Sequence, residues 1–254
     1  MTTLEINPTE TIDYPESDGQ PMGETDLHRI LMNELIFALR WFLSDIKAYI
    51  AGNLFVYYEA GNPKAVVAPD VFIVLGVEPQ MRRTYKVWEE GQKLPDVVFE
   101  LTSRSTRKAD QEEKPALYAR LGVREYFVFD PYGEYLRPQL QGYRLAGGGY
   151  KRIEAFPMYS EILNLELRVE DQTLRLYNPE TGERLPTADE VVLARREAEA
   201  RRFEVERRLL RLEQARLAAE VRAAEQSALA AEQSARADAA EAELARLRAE
   251  RATQ

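Results

Sequence analysis

Apolar residues recur at helical spacing through Leu27, Ile30, Leu31, Leu35, Ile36, Leu39, Phe42 and Leu43, predicting one amphipathic helix from a Thr25 N-cap to about Tyr49. Gly52 ends it. The pattern then changes to short β-rich runs bounded by turn residues: 53–59, closed by Gly61-Asn62-Pro63, then 66–75, 96–102 and 125–129. A second helical stretch near 112–121, stopped by Gly122, separates the last two runs. Strand, helix and strand at this length predict a crossover unit. Residues 76–95 read as a polar loop. Gly147-Gly148-Gly149 and Glu170-Asp171-Gln172 each lie between a pair of alternating runs, so each predicts a hairpin. The order implies an α/β fold, a mixed β-sheet core with the long first helix on one face.

The two ends read differently. Residues 1–23 are polar, with Pro8, Pro15, Pro21 and the pair Asp18-Gly19, and are expected to be a poorly ordered lead to a domain spanning 24–186. From 187 to 254 there is no Gly or Pro, and Ala, Glu, Arg and Leu dominate, which predicts one long helix. Leu210, Gln214, Leu217, Val221, Ala224, Ala228, Ala231, Ala235, Ala242, Ala245 and Ala249 fall on one heptad seam, broken at Asp238. That seam favours a coiled coil and hence a homo-oligomer; the alternative is a solvated single helix, because alanine buries little area.

Charge narrows the partners only slightly. The net charge of -9 includes seven acids and no base in residues 1–26; residues 27–186 hold 21 basic and 22 acidic residues, and the tail from 187 holds 13 and 14. The chain is therefore not coated in positive charge. It has no cysteine and one histidine, which excludes disulfides, thiolate sites and any site built from several histidines of one chain. No apolar run approaches the roughly 18 residues of a membrane span, and no basic-then-apolar leader opens the sequence, so the expected setting is the cytosol.

The chemistry concentrates between Pro69 and Pro131. Asp70 begins the apolar run VFIVL, Glu100 lies within VVFEL, and Lys114 stands in the helical stretch after it. A carboxylate on a buried strand is costly without a partner, and two such strands side by side can share a metal ion. Mg²⁺, or Mn²⁺ in its place, suits hard carboxylate oxygens and keeps several waters. Asp96 also follows a proline, but it lies four residues from Glu100 on one strand, about 13 Å at ~3.3 Å per residue, so Asp70 is the better partner.

With these residues in place, APDVFIV followed by DVVFELTSRSTRKADQEEKPALYARLGVREYFVFDP resembles the Uma family of restriction endonucleases, a branch of the PD-(D/E)XK nuclease superfamily. The likeness covers roughly residues 20–180. It implies a restriction-endonuclease-like core with Asp70 and Glu100 as metal ligands, and a magnesium-dependent hydrolase cutting DNA. The superfamily pattern would set a lysine at position 102, where Thr102 stands; the likeness implies that this lysine has moved to the following helix, as Lys114. Pro115 is expected to start that helix, leaving Lys114 at its positive end as a neutral general base that Lys114→Arg would not replace. The alternative is a lysine that pairs with Asp110 and Glu113.

Several further residues have two readings. Glu24 and His28, four apart at the start of the first helix, can face the site or be a surface pair. Ser103, Ser105 and Thr106 can bind a phosphate, with Arg104, Arg107 and Lys108 adding charge, or can form an ordinary turn. Tyr118 reads as core packing, whereas Tyr85 and Trp88 in the predicted loop can stack on bases or fold back. Three functions follow: a DNA endonuclease, a nucleic-acid-binding module without efficient cleavage, and a scaffold whose working element is the coiled coil.

Overall fold

In the computed structural model, which describes residues 12–17 and 25–252, the Thr25 side chain accepts from the His28 N–H and starts helix α1 (Asp26–Phe42). Leu31, Leu35, Ala38 and Leu39 form its buried stripe. The helix is shorter than its periodicity implies. A turn follows Phe42, and Ala48–Ala51 is strand β1, buried at all four positions. Apolar residues continue through this segment at a spacing either element can use, and pairing with the neighbouring strand decides between them.

The strands that follow are β2 (Val56–Tyr57), β3 (Val66–Val67), β4 (Val71–Leu75), β5 (Tyr85–Lys86) and β6 (Val97–Leu101). Helix α2 (Lys114–Leu121) connects β6 to β7 (Glu125–Phe129). Then come β8 (Leu140–Ala146), β9 (Gly149–Arg152), β10 (Met158–Ser160), β11 (Leu165–Glu170), β12 (Thr173–Tyr177) and helix α3 (Ala188–Ala252). Both predicted hairpins are present, as β8–β9 and β11–β12. The expected strand 66–75 is two strands, because the chain leaves the ladder at Ala68-Pro69-Asp70 and β3 pairs with β2 instead. The expected loop 76–95 contains β5 and a 3₁₀ turn, Val87–Glu90.

One sheet organises the rest, in the order β1-β4-β6-β7-β8-β9, and it is mixed: β6 and β7 run parallel and their other neighbours antiparallel. Alternation along β6 sends Val97, Phe99 and Leu101 to the face shared with α1 and the small sheet β10-β11-β12. Val98 goes to the other face, with Tyr118 of α2, Tyr126 and residues of the small sheet β3-β2-β5. Glu100 follows Val98 in that alternation, so the fold itself points a carboxylate into an apolar layer. At the edge, Arg40 donates twice to the carbonyl of Ile50 (3.2 and 2.7 Å), covering a backbone group of β1.

The lead segment is anchored where it is described: Tyr14 packs on Tyr57 (5.0 Å between centroids) and Trp88 (5.1 Å), and Glu16 pairs with Arg83 at 2.5 Å. The chain divides into two compact units, Met1–Glu190 and Val191–Gln254. A capping box starts α3: the Glu190 N–H donates to the Thr187 hydroxyl (3.3 Å), and the Thr187 N–H to the Glu190 carboxylate (2.9 Å). From Val192 onward every described side chain is exposed. No helix among the described residues is long and apolar enough to cross a membrane.

Candidate active site

The antiparallel register of β4 and β6 pairs Val71 with Phe99. One further step along it sets Asp70 opposite Glu100, where the Asp70 N–H reaches Glu100 Oε2 at 3.4 Å. Asp70 itself is fixed on two sides. Its Oδ2 accepts from the Leu101 N–H at 2.6 Å, and its Oδ1 lies 3.2 Å from His28 Nε2 at the start of α1. Gly52 permits this arrangement, since a Cβ there would collide with the carbonyl oxygen of Asp70.

Glu100 is wholly buried. Its Oε1 accepts from the Tyr118 hydroxyl at 2.8 Å, and its Oε2 lies 2.8 Å from Lys114 Nζ. The same ammonium is 2.8 Å from Asp110 Oδ1, and Asp110 is also buried. Among the described residues Asp110 Oδ2 has no hydrogen-bond partner; Oδ1 has none by hydrogen-bond geometry either, but its ion pair with Lys114 compensates it electrostatically. Burial pushes the Glu100 carboxyl up to about 8, opposed by Lys114 and reinforced by Asp70 and Asp110. Burial works against the charge on Lys114, but Glu100 and Asp110 outweigh it and hold the ammonium above its ordinary value. Two buried carboxyl groups thus share one lysine, with Asp70 beside Glu100.

The surroundings of Lys114 differ from the sequence expectation. Helix α2 begins at Lys114, but the backbone is already helical upstream, through a π-turn at Ala109–Glu113, and Lys114 itself is αR (φ -64, ψ -44). The wider π-turn accommodates Pro115, which lacks an N–H and would crowd a preceding carbonyl in a regular α-turn. No bare helix N-terminus faces the lysine, so no helix dipole favours the neutral amine there. The structure pairs the lysine with Asp110 and Glu100, not with Glu113.

A cleft of about 720 Å³ opens over this cluster, lined by Thr25, His28, Asp70, Thr102, Ser103, Arg104, Ser105, Thr106, Pro131, Tyr132, Glu134 and Tyr135. Asp70, His28 and Thr102 reach it, whereas Glu100, Asp110 and Lys114 are not among its lining residues. The Ser103 hydroxyl lies 3.1 Å from both the Ser105 and Thr106 hydroxyls, forming a polar shelf, and Arg104 is exposed beside it. Arg107 lies over the Tyr135 ring, 5.4 Å from its centroid; Arg107 and Lys108 are exposed but do not line the cleft. Glu24 lies outside the described residues.

Asp96 belongs elsewhere: its carboxylate accepts from the Leu75 N–H (2.6 Å) and from Arg124 (2.6 and 3.1 Å). Tyr85 is fully buried and donates to the Lys93 carbonyl at 2.8 Å, which removes it from base stacking, and half-buried Trp88 folds back onto Tyr14. Sequence reasoning missed Asp110 as a buried member of the cluster. The signal was the spacing Asp110, Lys114, Tyr118, which puts three chemically matched side chains on one helix face.

The model of the Uma2 family, described as "Putative restriction endonuclease", matches residues 2–176. The chain belongs to this family. A crystal structure titled as a putative nuclease of the DUF820 group from Anabaena variabilis is similar at 13% identity and a TM-score of 0.45, covering 60% of this chain and 82% of that one. No curated protein matches the chain. The Uma2 match spans the six-stranded sheet, with Asp70, Glu100 and Lys114 inside it.

Proposed function

We propose that the protein is a Mg²⁺-dependent endonuclease that hydrolyses phosphodiester bonds of DNA, with Mn²⁺ able to replace Mg²⁺. The observation that carries this reading is the register contact that puts Asp70 at the cleft directly beside wholly buried Glu100.

The donor set fits the cation. Among the described residues no three His, Cys, Asp or Glu form a metal cluster, but Mg²⁺ is commonly held by one or two carboxylates, with water and substrate oxygens completing its shell. Asp70 and Glu100 supply that pair, and each oxygen has room for a second partner. The buried Asp110 oxygen without a hydrogen bond, and the sharing of one lysine by two buried carboxyl groups with Asp70 beside them, leave negative charge that a divalent cation relieves. When bound there, the cation supplies an activated water and offsets charge on the phosphate. The chain supplies the rest. His28 orients Asp70, Lys114 stays charged and steadies Glu100 against Asp110, and Ser103 with Arg104 receives the phosphate at the cleft wall.

A DNA-binding module without efficient cleavage is the second reading, favoured by Glu100 and Lys114 lying outside the cleft lining. Cleavage of plasmid and oligonucleotide DNA with Mg²⁺ or EDTA decides between them. The endonuclease reading expects scission with Mg²⁺ only, lost in Asp70→Ala and Glu100→Ala; DNA retention without scission supports the module. For α3, pairing with a second copy along the Leu210–Leu217–Val221 seam is proposed, and light scattering with and without residues 191–254 tests it: unchanged mass per particle removes the coiled coil.

A further inference from the structure

The cleft carries little positive charge. Of the twelve described residues that line it, Arg104 is the one Lys or Arg, against Asp70 and Glu134, and Arg107 lies over the Tyr135 ring without lining the cleft. Duplex-binding surfaces draw most of their affinity from many Lys and Arg contacts to phosphate, and this cleft does not present them. It presents aromatic surface instead. Tyr132 is 47% exposed and lines the cleft together with Tyr135, in the same cavity as Asp70 and His28.

The wall holding these rings is fixed. Asp130, buried at the end of β7, accepts from the N–H groups of Tyr135 (2.5 Å) and Leu136 (2.9 Å). Its carbonyl accepts from the Gly133 N–H (3.1 Å) and the Gln139 side chain (3.2 Å), and Arg137 donates to the Gly133 carbonyl. A loop tied at so many points presents its ring at low entropic cost. A cavity of about 720 Å³ is of the size that encloses a small ligand.

We infer that the cleft takes unpaired DNA, with a base stacked on Tyr132 and the adjoining phosphate on the shelf of Ser103, Ser105 and Arg104. A single-stranded segment or a nucleotide splayed out of a duplex meets this description. Stacking tolerates any base because every base has a π-face, and it adds to what the few cations at the cleft can supply. The inference rests on the DNA reading of this site but not on cleavage by it.

The test uses the full chain with a labelled single strand and the matching perfect duplex. Binding is followed by anisotropy in Ca²⁺, and cleavage in Mg²⁺. The expected result is single-strand binding at least about tenfold tighter than duplex binding, with a salt dependence made shallow by the few phosphate contacts. Tyr132→Ala weakens it by about 5- to 100-fold; Tyr132→Phe, which keeps the ring, stays within about twofold of wild type. Circular dichroism confirms that both variants are folded. A preference for single strands without cleavage on either DNA supports this inference and overturns the endonuclease reading. Equal binding of the two DNAs, no binding of either, or a folded Tyr132→Ala that binds single strands like wild type overturns the inference.

Discussion

Strands β6 and β7 run side by side, each burying one glutamate completely, and the two are held in opposite ways. Glu125 of β7 meets Arg144 through two 3.0 Å contacts, the N–H groups of Glu161 (2.9 Å) and Ile162 (3.4 Å), and the Ser160 hydroxyl. Arg144 also pairs with the solvent-exposed Glu161 carboxylate (2.7 Å), and the oxygens of Glu125 are filled by the β10–β11 segment, which it ties to the sheet. Glu100 of β6 shares its one cation with Asp110, stands opposite Asp70, and has its carboxyl pushed up to about 8 by burial. A buried carboxylate whose oxygens are filled and whose cation is shared only with a solvated acid is scaffold; one that shares its cation with a second buried carboxyl group is where a divalent cation belongs.

The sharpest way to break this comparison is to remove each carboxylate in turn. Glu125→Ala leaves Arg144 without its buried partner and is expected to cost about 3–5 kcal/mol in urea unfolding. Glu100→Gln keeps volume and is expected to cost about 1 kcal/mol, but to lower DNA cleavage by more than about 100-fold, since loss of an outer-shell partner alone commonly costs ~10–100-fold. A Glu125→Ala protein as stable as wild type would dissolve the distinction. Lys114→Ala comes next. It strands two buried carboxyl groups, so its metal-free form should lose about 3 kcal/mol or more, some of which Mg²⁺ restores. Lys114→Arg keeps the charge; measurable cleavage in that variant supports the ammonium role, whereas complete loss with intact Mg²⁺ binding returns Lys114 to proton transfer.

A smaller effect appears in pH. Glu100 holds its proton more tightly folded than at its ordinary value of 4.5. Its contribution to stability is therefore complete below about 4.5 and is lost as pH rises through about 8. Mg²⁺ needs the carboxylate form, so the rise in melting temperature produced by Mg²⁺ should grow from about pH 6 to about pH 9. A rise of equal size across that range would place the cation away from Glu100. The smallest expected change is His28→Ala, which removes the 3.2 Å contact to Asp70 and should weaken Mg²⁺ binding by about tenfold in calorimetry.

How far these residues were legible follows from the kind of contact each makes. Asp70 and Glu100 stand out in sequence because each interrupts an apolar β-run, and their meeting is a matter of strand register. The helix stop at Gly122, with φ 91, and both hairpins were equally local. The end of α1 was not, because residues 46–50 fit a helix or a strand until β4 pairs with them. Nor was the setting of Lys114, since the π-turn that absorbs Pro115 has no local signature. Glu125 went unremarked because its partners come from residues 144 and 160–162, brought in by tertiary folding.

The most direct measurement is anomalous scattering from a crystal soaked in Mn²⁺. The account predicts one peak between the carboxylates of Asp70 and Glu100, at about 2.1 Å from an oxygen of each, and no peak at Glu125. A peak beside Asp96 or Glu125, or none near Asp70 in a crystal that holds Mn²⁺ elsewhere, would contradict it.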